Sequence, residues 1–483
     1  MPENTGRKLQ ALLAAGLLAA GCTTVPTEKG VSRATAPSPG TPWTPPAEAA
    51  MPAPVSAPPV LPGDIVKKGG VLTLAQAIDL SLRNSPVTRD AWFKARAAAA
   101  EVGVKNGAWF PSLELDANLT REKQTQGSPV TSLTTSYGPS LSLNWLLLDA
   151  GGRKADIDEA RAALFSSDWL HDATIQNVIL DTAVAYYGYL YGKALVDAQE
   201  ANVKAARESL TAAEERHRAG VATIADVLLA RTAESQAELD LTSAQGLVRT
   251  IRGALATQLG VPANIPIEAG ELPEIQNLDR VTQSVDSLIE RASKERPDLA
   301  AKRFDVQAAE AHVRSVRSAG LPTLVAIGSL GRTYFDTRTG PSGVSVYSAA
   351  VLFSFPVFSG FSNVYEIKKA QEEAKSAQAQ ADDFANQVVL QVWTSYSAMQ
   401  TATQRVRTTR DLLASAQQSQ EVSSGRYKAG VGGILDLLAA QGAFANARAQ
   451  EVQARTEWYL ALARLARDVG ALGPGVVVEG KQQ

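Results

Sequence analysis

The sequence predicts a mainly α-helical protein with a β-barrel part, built from two copies of one module. Three observations predict it. RHRAGVATIADVLLAR at 216–231 returns as RYKAGVGGILDLLAAQ at 426–441, identical at eight of sixteen positions and offset by 210 residues. No proline interrupts Gly152 to Arg218, nor its copy Ser362 to Lys428. Ahead of each such run, two segments alternate apolar and polar residues with the period of a β-strand.

The elements follow in order. Arg7 and Lys8 precede an apolar stretch from Leu9 to Ala20 that is too short to span a bilayer, the pattern of a secretory signal. It runs into A-A-G-C, ending at Cys22, the only cysteine. This resembles a bacterial lipobox, which implies cleavage before Cys22 and lipid on its sulfur and new amino group. An ordinary signal with a chance cysteine is the alternative. Thr23 in place of aspartate is similar to the outer-membrane sorting case. Residues 23–62 hold eleven of the 24 prolines and read as an extended, polyproline-like tether.

The copies extend well beyond the opening corner. WLLLDAGGR (145–153) aligns with FPVFSGFSN (355–363), Tyr186 with Tyr396, Pro111 with Pro322 across one added residue, and RNSPVTRDA (83–91) with KERPDLAAK (294–302). A period this long suggests duplication of a whole module rather than a solenoid. The expected divisions are a signal at 1–21, a tether at 22–63, modules at 64–270 and 271–473, and a tail at 474–483.

In the first copy, helices are expected near 73–83 and 87–107, ending before Pro111 because the residue preceding proline leaves helical geometry. Leu113, Leu115, Ala117 and Leu119 then alternate with Glu114, Asp116, Asn118 and Thr120. Strands are predicted at about 109–126 and 131–148, and in the second copy at about 322–337 and 343–358. Their length and terminal aromatics (Trp109, Phe110, Tyr334, Phe335, Phe355, Phe358) fit membrane barrel strands; a soluble two-hairpin sheet is the alternative. Four strands per chain cannot close a barrel whose smallest form has about eight.

Helical hairpins are predicted at 152–260 and 362–470. At about 1.5 Å per residue each outgoing helix would be roughly 100 Å long, which calls for coiled-coil packing. The seam is visible in Leu437, Ala440, Phe444, Ala447, Glu451, Ala454, Trp458, Ala461 and Leu465, spaced by 3 and 4. Two separate four-helix bundles would not need this length.

Composition narrows the chemistry. Lys+Arg number 47 against 49 Asp+Glu, so no basic face for nucleic acid is implied. A single cysteine excludes an internal disulfide framework. His171, His217 and His312 have no metal-ligand spacing. There is no phosphate-loop motif, and no nucleophile, zinc or paired-carboxylate constellation appears, so no enzyme activity and no cofactor beyond lipid on Cys22 are expected.

Lipobox, tether, duplicated strand pairs and duplicated long hairpins together resemble the TolC-like outer-membrane efflux channels, the lipidated members most of all. The resemblance covers residues 64–473, and its most specific pieces are the two G-x5-D corners and the junctions at DAGGR and FSGFS. It implies a homotrimer sharing a 12-stranded barrel, four strands per chain, continuous with a helical periplasmic tunnel. The implied partners are a periplasmic adaptor, an inner-membrane transporter and outer-membrane lipid.

It also implies that the corners are periplasmic tips. Gly220, Val221, Gly430 and Val431 would meet the adaptor, and Asp436 would form an acidic ring at the narrow end. Tyr427 would bond across to the neighbouring hairpin, with Asp226 as acceptor. Two positions depart from members of the family: Ala439 stands where some carry a second acidic ring, and Gly432 where some carry a gate-locking arginine. Arg216, Arg218, Arg231, Arg426 or Lys428 are the candidates to replace that arginine. The alternatives are a periplasmic scaffold lipoprotein without a pore and an exit duct for type I protein secretion.

Overall fold

The computed structural model describes residues 71–125, 131–278, 283–337 and 340–473. Cys22, the tether and the C-terminal tail therefore lie outside the described residues. The elements are α1 (Leu74–Asn84), α2 (Pro86–Gly107), β1 (Ser112–Thr125), β2 (Thr131–Leu148), α3 (Gly152–Arg218) and α4 (Ile224–Gln258). Then follow α5 (Val285–Glu295), α6 (Pro297–Ser318), β3 (Thr323–Thr337), β4 (Gly340–Ser354), α7 (Ser362–Lys428) and α8 (Ile434–Asp468). The second series repeats the first, with helices of 11, 22, 67 and 35 residues in both.

Local chemistry sets the breaks. Thr73 and Gln76 form a reciprocal cap that opens α1, satisfying amides the first turn leaves unpaired. Ser85 closes α1 and accepts from the amides of Val87 and Thr88 to open α2, whose first residue is Pro86. That position suits proline, since its missing amide would have had no partner there.

The four strands form one antiparallel sheet in the order β1-β2-β3-β4. Residues opposite one another share a face, so the register sorts the side chains. One row across the sheet is Leu115, Leu141, Leu330 and Tyr347; a row on the other face is Glu114, Ser142, Ser329 and Ser348. The first row is apolar and exposed and the second carries an acid and hydroxyls; the sorting is clean on β1 and β2, whereas Ile327 and Val346 share the second face and Arg332 and Ser345 the first.

The β2–β3 ladder skips Gly138 and Pro139. Proline has no amide to give a central strand, and a Cβ at Gly138 would stand 1.9 Å from the Arg332 carbonyl oxygen. β4 runs three to four residues earlier than the sequence pattern indicates. Phe355 and Phe358 fall in the exposed link to α7, and Trp109 and Phe110 fall in the turn before Pro111. Both pairs lie just outside the ladders, which begin at Ser112 on β1 and end at Ser354 on β4.

α3 is the hub of the helices. α2 and α6 pack along it, as do α4 and α8, while α7 holds α5, α6 and α8. Two cores lie at mid-length. Tyr189, Leu190, Leu255 and Leu259 centre the first, and Val388, Val392, Trp458 and Leu299 the second. The α8 seam is buried at every position listed above except Phe444, which is half-buried. Glu451, its one acidic member, is held by Arg455 at 3.5 Å. No described helix is long and apolar enough to cross a membrane, which says nothing of the strands.

Candidate functional site

The two corners sit side by side, and their backbones are built alike. Gly220 (φ 75°) and Gly430 (φ 79°) take the left-handed conformation. Around them Gly220 N–H bonds the His217 carbonyl and Val221 N–H that of Arg216; Gly430 and Val431 repeat this on Tyr427 and Arg426. This paired closure satisfies carbonyls at a helix end and needs a residue without a Cβ penalty. It leaves Val221 and Val431 65% and 70% exposed at the apex of each turn.

The return helices start differently. Thr223 accepts from the amide of Asp226, whose carboxylate accepts from the Thr223 amide at 2.9 Å. At the second corner Gly433 replaces the threonine and offers no side-chain cap. Asp436 is exposed and makes no hydrogen bond or ion pair among the described residues. Two aspartates equivalent in sequence therefore have different work: Asp226 is spent on its helix, and Asp436 is free to act on solvent.

The expected bond from Tyr427 to Asp226 is not made among the described residues. Tyr427 is instead buried, 4% exposed, among Ala213, Val227, Ala230, Ile434 and Leu437, so the second hairpin plugs into the first. Its phenol oxygen has no partner. Burial pushes the phenol pKa up; the nearby Arg216 charge lowers it and that of Asp226 raises it further.

Arg216 is the cation that joins the hairpins. Its guanidinium lies 4.7 Å from the Tyr427 ring centroid and donates to the Tyr427 carbonyl. A cation there is favourable, since the end of α7 carries partial negative charge. Gln441 adds a second tie, donating to Ser209 Oγ at 2.8 Å. Of the other candidate cations, Arg231 pairs with Glu214 inside the first hairpin at 3.1 Å. Arg218, Arg426 and Lys428 make no ion pair among the described residues. Arg216 stood in the sequence as one of five equal candidates, and only its reach across the corner distinguishes it.

A second cluster lies at the DAGGR junction, where sequence patterning assigned no role to Arg153. At the strand-to-helix junction Ala150 and Gly151 take positive φ, and the buried Arg153 reaches back under the sheet. It donates to the carbonyls of Ala108 (3.2 Å), Leu146 (2.6 Å) and Leu147 (3.1 Å), with Asp149 3.4 Å away. The Trp109 ring lies 4.1 Å from its guanidinium. In the second copy Asn363 and Gly320 occupy these places, and a Cβ at Gly320 would meet Asn363 Nδ2 at 2.0 Å. A large pair in one copy and a small pair in the other was the available signal.

Among the described residues, no group of three or more His, Cys, Asp or Glu side chains could hold a metal ion. A family model described as Outer membrane efflux protein matches residues 77–261 and 288–471. Protein CyaE of Bordetella pertussis is 30% identical over 419 residues, covering 84% of this chain and 85% of the relative. Outer membrane protein TolC of Escherichia coli is 24% identical over 410 residues, covering 81% and 79%. Among solved structures, the CmeC outer membrane channel of Campylobacter jejuni superimposes with a TM-score of 0.74 at 18% identity, covering 83% of this chain and 86% of that one. With two matched blocks falling on the two helical series, the chain belongs to the outer membrane efflux protein family, and its place is the outer membrane.

Proposed function

We propose that three copies of this chain form one passive exit duct, a 12-stranded outer-membrane barrel continuous with a helical periplasmic tunnel. The observation that carries the proposal is the open sheet. β1 and β4 are edge strands, and across β1 and β2 one face carries leucines while the other carries acids, amides and hydroxyls. An exposed strand edge inside lipid leaves backbone groups unsatisfied. Three copies pairing β4 to β1 remove every edge, with the apolar face toward lipid and the polar face toward the lumen.

In this reading the chain divides at 1–21, 22–63, 64–270, 271–473 and 474–483, and lipid on Cys22 anchors it to the outer membrane. A periplasmic adaptor meets Gly220, Val221, Gly430 and Val431, where two valines stand exposed on tight turns. An inner-membrane transporter supplies the energy through that adaptor. Three Asp436 carboxylates ring the narrow mouth, and Tyr427 and Asp226 set the packing behind them. Asp436 serves as the gate charge because no cation among the described residues pairs with it.

The test is electrical. In planar bilayers the wild-type trimer should conduct with cation preference, and Asp436→Ala should raise conductance or reduce that preference. Unchanged conductance and selectivity would remove Asp436 from the constriction. A second measurement separates a pore from a scaffold. Cys22→Ala should still require detergent for extraction, because the barrel face remains apolar. A freely soluble, monodisperse Cys22→Ala protein would favour a periplasmic scaffold instead.

A further inference from the structure

We infer that the seam between copies joins α2 of one chain to α7 of the next in a defined antiparallel register, with Glu101 against Lys369 and Lys94 against the turn bearing Glu372 and Glu373. This rests on the trimer reading and adds which side chains meet. Within the chain α6 packs between α3 and α7, whereas α2, its equivalent in the first series, packs along α3 and along no second long helix. The open side of α2 and an open side of α7 are the two unused halves of one repeated contact.

The α6–α3 contact is the template. His312 Nδ1 lies 3.1 Å from Glu159 Oε2, Ser166 Oγ donates to Asp305 at 2.6 Å, and Ser315 donates to Asp156. Partners step up one helix as they step down the other. Pro111 aligns with Pro322 and Gly152 with Ser362, so α6 numbers fall by 211 and α3 numbers rise by 210. The transfer sets Glu101 opposite Lys369, and Lys94 opposite Ser376 one turn from Glu372 and Glu373.

Burial agrees with this placement. On α3 the stripe under α6 holds Ala155 (3% exposed), Ala162 (6%) and Ser166 (4%). Its copy on α7 begins with Tyr365, 73% exposed. The side chains of Glu101 and Lys94 are 53% and 74% exposed, and that of Lys369 is 75% exposed.

The polarity of the two seams is reversed. At the Glu159 level the long helix is acidic inside the chain, and its copy between chains is basic (Lys369) and faces an acid (Glu101); at the Asp305 level the short helix is acidic inside the chain, and its copy between chains is basic (Lys94). Six similar hairpins must close in one order, and a wrong pairing would set Glu101 against Glu159 or Lys94 away from its acidic turn. Charge arranged in this way selects partners more than it adds affinity.

The test uses the full chain in detergent. Glu101→Cys combined with Lys369→Cys, treated with a short thiol-specific cross-linker, should give covalent species up to three chains on a denaturing gel. Each single substitution, retaining native Cys22, should give none. A trimer by light scattering that yields no covalent ladder overturns the register while leaving the trimer standing. A monomeric wild-type protein overturns the trimer reading itself. Lys369→Glu should lower the trimeric fraction at least tenfold, and adding Glu101→Lys should restore it. A double variant no better than the single overturns the pairing.

Discussion

Replacing Arg296 by alanine is expected to destabilise the protein by about 3–5 kcal/mol, the cost of breaking a buried ion pair from one side. The Arg296 side chain is 2% exposed and that of Asp298 is 18% exposed. Arg296 grips both Asp298 oxygens at 2.9 and 2.6 Å, donates to Gln391 Oε1 at 2.7 Å and reaches the Asp468 carbonyl at 3.4 Å. One side chain thus ties the α5–α6 corner to α7 and to the end of α8. Without it Asp298 keeps only Arg467, at 3.8 Å, and the Leu299 amide.

The same corner makes a pH prediction. Burial works against ionisation of Asp298, yet Arg296 above all, then Arg467 and the Leu299 amide, outweigh it and hold the carboxyl below its ordinary range. A carboxyl lowered in the native state binds its proton more readily when unfolded. Its stabilisation is therefore complete above the ordinary aspartate value of about 3.9 and is lost as pH falls through the lower native value. Denaturant titrations of wild type and Arg296→Ala at pH 7 and below 4 check both statements. The gap between the two proteins should narrow in acid. A loss under about 1 kcal/mol at pH 7 would mean that water reaches Asp298 when the arginine is gone.

The second large effect is expected at Arg153→Ala, again about 3–5 kcal/mol. The variant removes the donor to three backbone carbonyls at the junction, while Asp149 keeps the backbone amide of residue 153; an acceptor left without a partner where water cannot reach costs about 1–3 kcal/mol. Arg153→Lys should recover only part, since one ammonium cannot fan out to three carbonyls and still lie against the Trp109 ring. Thermal unfolding in detergent, with protease cutting at the 148–153 link as a local readout, distinguishes a loosened junction from general instability. Wild-type resistance to protease at that link in Arg153→Ala would show that the positive-φ turn holds without its arginine.

These two arginines also mark where sequence reading runs out. Arginine is seldom fully buried, and neither RNSPVTRDA nor KERPDLAAK shows that Ser85 and Arg296 occupy equivalent corners by different chemistry. Ser85 caps a helix through its hydroxyl, whereas Arg296 spans three elements. The absence of a Tyr427–Asp226 bond was not legible for a related reason: the packing of the second hairpin buries Tyr427 among apolar side chains, and that placement depends on tertiary contacts. By contrast, the glycine corners were legible because a left-handed turn leaves few residue choices, and that choice appears twice. The α8 seam was legible because a period of 3 and 4 has one physical meaning on a helix.

Periodicity, proline placement and the internal repeat determined by themselves that this protein has two long hairpins and two strand pairs. Each of these is a local or a periodic property, written in residues close together along the chain. Only the tertiary structure decided that Asp436 is the free carboxylate and Asp226 the committed one, that Arg216 rather than four other cations joins the hairpins, and that Arg153 and Arg296 are buried anchors. Those distinctions depend on which side chains meet in the fold: Arg216 reaches Tyr427 across 211 residues, Arg296 reaches Asp468 across 172 and Arg153 reaches Ala108 across 45. Distance in space sets those energies, and spacing in sequence does not encode it.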